Sequence, residues 1–125
     1  MKKNNKKQQG FTLIEVIAVL VILAVLAAVA VPRYLNLIED ARTQALQGAV
    51  AAGLSHVSLS YGRLALQTGQ EPTAAQIVAD VNTNAPQSAD YTFSFTTTAT
   101  PGINVVATES GITDPLSATN EWVMP

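Results

Sequence analysis

"KKQQGFTLIEVIAVLVILAVLAAVAVP", Lys6 to Pro32, sets a basic tract against an apolar run and places one carboxylate, Glu15, inside the apolar part. From Val16 to Val31 there are sixteen uninterrupted apolar residues, and counted from Phe11 the segment is 21 long, roughly 31 Å as a helix rising 1.5 Å per residue. It can span a bilayer. An acidic side chain at mid-helix depth costs roughly 2.5–3.5 kcal/mol by insertion scales, so something must offset Glu15. It lies ~6 Å of helix beyond Phe11 and can reach toward the headgroups, which tolerates the glutamate without explaining it.

Working outward, the chain has 125 residues, of which 94 follow Val31, enough for one small domain. The formal charge of −2 hides an asymmetry: Lys2, Lys3, Lys6 and Lys7 all precede Gly10, and the rest holds 3 Lys and Arg against 9 Asp and Glu, or −6. Such an acidic body is a poor binder of nucleic acid, whose affinity for proteins comes from Lys and Arg displacing counterions from phosphates. There is no cysteine, so disulfides and thiolate metal sites are excluded. The single histidine, His56, and the scattered carboxylates give no zinc spacing, no HExxH and no localisable Ser/His/Asp set. No catalytic residue, metal ligand set or cofactor is expected.

Three readings of the apolar run differ in where the chain is cut. Ala28-Val29-Ala30 supplies the small-x-small site of a secretory signal, which would release a soluble secreted binding protein after Ala30. A permanent anchor explains the length of the run but not Glu15. The third reading cuts before the apolar run, between Gly10 and Phe11, and keeps the run on the mature chain. The lysines would hold the leader on the cytoplasmic face. A helix that is apolar all round and leaves the membrane must then be buried by copies of itself.

That third reading carries a resemblance. "GFTLIEVI", Gly10 to Ile17, resembles the prepilin signature of the type IV pilin and type II secretion pseudopilin family: a basic leader ending in glycine, then phenylalanine, four further residues ending in glutamate, an unbroken apolar run and Pro32. The resemblance implies that prepilin peptidase, a membrane aspartyl protease, cuts after Gly10 and methylates the new amine of Phe11. It implies an inner-membrane precursor that the pilus assembly machinery polymerises into a helical homo-oligomer, ending as an extracellular filament or fimbrium. Glu15 is then expected to pair with the Phe11 amine of a neighbouring subunit, and Pro32 to break the helix. Many relatives carry glycine where this chain has Ala24, which places more of that break on Pro32. "RYLNLIEDARTQALQGAV" is similar to the early helix of mannose-sensitive haemagglutinin-type pilins. The glycine-rich, aspartate-bearing segments of major pseudopilins are absent, so a structural pilin is preferred and a secretion pseudopilin is the alternative.

Beyond Pro32, Leu46, Val50, Leu54, Val57, Tyr61 and Leu64 recur at steps of three and four, one face of a helix over 33–67 that Thr68-Gly69 ends. "EPTAAQIVADVN" carries Thr73 and Gln76 at capping-box spacing and predicts a short helix over about 73–82. "YTFSFT", "INVVAT" and "TNEWVM" predict antiparallel strands within about 90–124, separated by turns at "ATPGIN" and "ESGIT". The fold expected is α+β: a 1–10 leader, an apolar 11–32 helix that protrudes, and a 33–125 domain in which the helix packs on a small antiparallel sheet, the pilin fold. Tyr91, Phe93, Phe95 and Trp122 read as sheet core rather than a ligand platform. Glu109, Asp114 and Glu121 are oxygen donors without EF-hand spacing, and Glu39, Asp40 and Arg42 read as a solvated helix face. His56 reads as a surface or groove histidine.

Overall fold

The computed structural model describes residues 10–99 and 101–125. Residues 1–9 of the basic leader lie outside the described residues. The chain divides into two units, Met1–Ile38 and Glu39–Pro125, and one helix, α1 (Leu13–Thr68), contributes to both.

In the first unit α1 is built almost wholly of Ala, Leu, Ile and Val, and every described residue is exposed. Nothing in the sequence provides a polar face on which to turn outward, so no side of the helix is preferred for burial. The helix break expected at Pro32 is not present in the isolated chain, where α1 runs through the proline. Proline withdraws one hydrogen bond, that to the Ala28 carbonyl, and the good helix formers on both sides carry the helix past it.

In the second unit α1 buries Leu46, Val50, Gly53, Val57 and Ser60, at steps of three and four. The buried stripe is narrower than the sequence pattern, for Leu54, Tyr61 and Leu64 flank it half-buried. Its floor runs through Gly53 because a Cβ there would sit 2.6 Å from Cγ1 of Val105, so helix and sheet meet at a distance that only hydrogen permits. Gly69 ends the helix with φ +67° and donates its N–H to the Ala65 carbonyl at 2.9 Å, a left-handed cap that glycine adopts without cost.

The second helix, α2 (Ala74–Thr83), starts from a capping box: Gln76 N–H donates to Thr73 Oγ1 at 3.4 Å and Thr73 N–H to Gln76 Oε1 at 2.8 Å. It buries Ile77 and Val81, one turn apart. Three strands follow, β1 (Tyr91–Thr97), β2 (Gly102–Glu109) and β3 (Ser117–Val123), in an antiparallel sheet of order β1-β2-β3. Phe95 faces Val105 across the first pairing and Ile103 faces Trp122 across the second. The central strand supplies Ile103, Val105 and Ala107 to the interior, where Val57, Ile77, Val81 and Phe95 meet the first two. Phe93 and Phe95 stack at 6.3 Å between centroids, and Trp122 lies 5.7 Å from Tyr61 while its Nε1–H donates to Ser58 Oγ at 2.9 Å. The aromatics fasten sheet to helix. The architecture is α+β, a long apolar amino-terminal helix and a small three-stranded antiparallel sheet.

Candidate functional site

Glu15 lies in the first turn of α1, Gly10 and Phe11 immediately precede the helix, and Pro32 lies further along it. Phe11 is 90% exposed. Glu15 is engaged locally: Thr12 donates to its Oε2 from the backbone N–H at 2.8 Å and from the hydroxyl at 2.9 Å, and Glu15 N–H returns a bond to Thr12 Oγ1 at 3.4 Å. This is a capping box, the same device that starts α2, with the carboxylate in the first turn where the helix dipole favours it. The T-x-x-E spacing of Thr12 and Glu15 announces it in the sequence, although the apolar run draws attention away. Both bonds fall on Oε2, and Oε1 accepts none among the described residues. The glutamate therefore starts the helix and keeps acceptor capacity for a further partner.

From Val16 to Val31 the surface of this unit is apolar on every side, and α1 is long and apolar enough to cross a membrane. The site thus consists of a continuous hydrophobic rod, one carboxylate near its tip and a proline near its end.

The second unit holds its charges differently. Arg42 grips Glu109 with two nitrogens, Nε to Oε1 at 3.0 Å and Nη2 to Oε2, and Nη2 also donates to the Asp114 carbonyl at 3.0 Å. Leu116 N–H donates to Glu109 Oε2 at 2.9 Å. Arg42 first, then Leu116, hold the buried Glu109 carboxyl below the usual range. This corrects one sequence reading: Arg42 is not on a merely solvated face, because it is committed to Glu109. The partners lie 67 positions apart, and no local signal joins them. Arg63, followed by Ser60, likewise lowers the pKa of Asp80 by bonding its carboxylate, tying α1 to α2. His56 is half-buried beside Leu59, Ser60 and Arg63, and its Nδ1 has no hydrogen-bond partner among the described residues. Among the described residues no group of three or more His, Asp or Glu side chains is placed to hold a metal ion.

Known proteins extend the comparison. Residues 5–31 match the prokaryotic N-terminal methylation motif. The chain is 34% identical over 88 residues to the type IV narrow pilus major component PilA5 of Thermus thermophilus, an alignment covering 70% of this chain and 72% of that protein. It belongs to the type IV pilin family. This pilin is also 33% identical over 100 residues to the type IV major alpha-pilin of Moraxella bovis, covering 80% of the chain and 57% of that relative. With a fimbrial protein of Pseudomonas aeruginosa it shares 36% identity over 91 residues, covering 73% of the chain and 51% of that relative. The pilin thus spans little more than half the length of the latter two. No solved structure matches it.

Proposed function

We propose that this chain is the structural subunit of a type IV pilus and has no catalytic role of its own. The observation that carries the reading is the rod of exposed apolar side chains opening on Phe11 and Glu15, within the stretch that matches the methylation motif. Prepilin peptidase removes residues 1–10 on the cytoplasmic side and methylates the amine of Phe11. The apolar helix first holds the subunit in the inner membrane. The assembly machinery then draws it into a filament, where copies of the same helix replace lipid around it. Pro32 marks where α1 opens when neighbours supply the contacts that the missing hydrogen bond forgoes. The finished filament lies at the cell surface.

Glu15 sets the stagger. Cleavage creates an amine that the precursor lacks, and a neighbour displaced by about four residues, ~6 Å, brings that amine to the carboxylate. At ~4 Å and an effective dielectric near 20 the attraction is about 4 kcal/mol, comparable with the insertion cost of the carboxylate. Other staggers leave the carboxylate without its ionic partner and are disfavoured. Replacing Glu15 with Ala is expected to leave export and cleavage intact, with the mature mass beginning at Phe11, and to cut filament yield severely. Undiminished filaments from that variant, at normal levels of processed subunit, would remove the role given to Glu15. A mature terminus at Val31 would overturn the assignment as a whole.

A further inference from the structure

Two capping boxes start the two helices with nearly the same dimensions. At α2, Gln76 N–H donates to Thr73 Oγ1 at 3.4 Å, Thr73 N–H to Gln76 Oε1 at 2.8 Å and Ile77 N–H to the Thr73 carbonyl at 3.1 Å. At α1, Glu15 N–H donates to Thr12 Oγ1 at 3.4 Å, Thr12 N–H to Glu15 Oε2 at 2.8 Å and Val16 N–H to the Thr12 carbonyl at 3.4 Å. What precedes the two caps differs. Pro72 stands before Thr73, and a proline disfavours the helical region for the residue ahead of it, which stops α2 from running back beyond it. No proline stands ahead of Thr12, where Lys6 to Phe11 reads KKQQGF, and glutamine is a good helix former.

The bonds at Thr12 govern where α1 begins. Each helical N–H reaches back four residues, so a helix longer by one residue would bond Glu15 N–H to the Phe11 carbonyl, and one longer by two would bond Ile14 N–H to the Gly10 carbonyl. Thr12 Oγ1 takes the Glu15 N–H instead. Glu15 Oε2 takes the Thr12 N–H, which extension would send to the Gln8 carbonyl. Among the described residues neither the Phe11 nor the Gly10 carbonyl accepts a backbone hydrogen bond, and both residues lie outside the helix. The Gly10 carbonyl belongs to the bond that leader removal cuts.

We propose that Thr12 is a positioning residue for leader removal: its hydroxyl stops α1 short of the Gly10–Phe11 bond, so that the bond meets prepilin peptidase as open, non-helical backbone. The inference rests on the processing reading above. In the cut, water adds to the Gly10 carbonyl carbon, the C–N bond to Phe11 breaks, and the nitrogen leaves with a proton from that water. The carbonyl oxygen gathers negative charge on the way and must be free to accept stabilising donors. Inside a helix it would already be committed to Ile14 N–H, with the turn packed around the carbon. Because Thr12 bonds the main chain of residue 15, its hold survives Glu15→Ala, the variant for which cleavage is expected to continue. One box thus serves two steps, the Thr12 hydroxyl the cut and the Glu15 charge the assembly.

The test follows the full-length chain in bilayers with prepilin peptidase, timing the loss of the mass of residues 1–10. Thr12→Val keeps the branched shape and removes the hydroxyl, and is expected to be cut about fivefold more slowly, the factor that a lost threonine cap is worth. Thr12→Ser and Thr12→Asn differ in shape but keep a capping oxygen, and both are expected to be cut within about twofold of the parent rate. Carbon-13 at the Gly10 carbonyl of the uncut chain reads the cause: its chemical shift should move toward helical values in Thr12→Val and stay in place in the other two. Thr12→Val cut at the parent rate overturns the proposal, as does failure of both Ser and Asn to restore cleavage. Slow cutting of Thr12→Val with an unmoved Gly10 shift overturns it too, since Thr12 would then be a contact of the peptidase rather than the stop of the helix. A parent chain whose mature mass does not begin at Phe11 sinks the processing reading itself, whereas a parent cut there beside an equally fast Thr12→Val sinks only this inference.

Discussion

Residues 13–38 and 39–68 share one secondary structure and almost nothing else. The first stretch buries no residue and from Val16 to Val31 is apolar on all faces; the second buries five residues on one stripe and turns polar side chains outward. Helix formation is decided locally, by residues with little side-chain entropy to lose and by a cap at the start. Burial is decided by pattern. A stripe asks for one partner, which the chain supplies as α2 and the sheet, whereas an unpatterned apolar surface asks for partners on every side and the chain supplies none. The difference separates what this molecule folds with from what it assembles with.

The largest effect should come from cutting the two apart. A fragment beginning at Arg33 is expected to be a folded, soluble monomer, because the buried residues all lie beyond it, at Leu46 and later. The chain from Phe11 should require detergent or a bilayer. Sedimentation of the fragment decides this, and persistent large oligomers would show that the domain carries a strong association surface of its own.

Much of the second unit was legible because its elements announce themselves by local chemistry. Thr73 and Gln76 mark a helix start, Gly69 a helix end, and the alternation of Tyr91, Phe93 and Phe95 a half-buried strand. Two things were hidden for one reason, that each depends on distant residues meeting. Gly53 reads as an ordinary helical glycine until Val105 is placed against it, and Arg42 reads as a solvated cation until Glu109 arrives from β2. At the tip of α1 the reading ran the other way. Glu15 stands out in the sequence as a lone carboxylate in an apolar run and as part of a processing signature, which overshadow the T-x-x-E spacing of its local role as the partner of Thr12.

A smaller effect distinguishes two glycines of α1 that sequence alone treats alike. Gly53→Ala would force a methyl against Val105 Cγ1 and the Phe93 ring, and overpacking of this kind costs about 1–3 kcal/mol. Gly48→Ala meets nothing within 4 Å and should stabilise the isolated domain by up to about 1 kcal/mol through helix propensity alone. Urea unfolding of the Arg33 fragment measures both. If Gly53→Ala proved as benign as Gly48→Ala, the close approach of helix to sheet would be wrong.

The smallest effect sharpens the comparison through pH. Residues 16–31 have no titratable side chain, whereas the domain holds two carboxylates lowered in the folded state, Glu109 by Arg42 and the Leu116 N–H, and Asp80 by Arg63 and Ser60. A carboxyl whose folded pKa lies below its unfolded value contributes fully above the unfolded value, roughly pH 4 for these groups, and loses that contribution as pH falls through the folded one. The contribution of these two carboxylates should therefore be constant near neutrality and decline only in the acid range. Glu109→Gln should be less stable than the parent at pH 7, since Arg42 loses its ionic partner while Leu116 keeps an acceptor. The two stability curves should then converge as acid protonates the parent's carboxylate. Arg42 keeps 32% of its side chain exposed, so solvent screens part of the pairing and the gap at pH 7 should be modest. Urea midpoints of the fragment between pH 7 and 3 supply the curves. Parallel curves would mean that the Arg42–Glu109 contact adds nothing that depends on charge, and that β2 is held to α1 by packing alone.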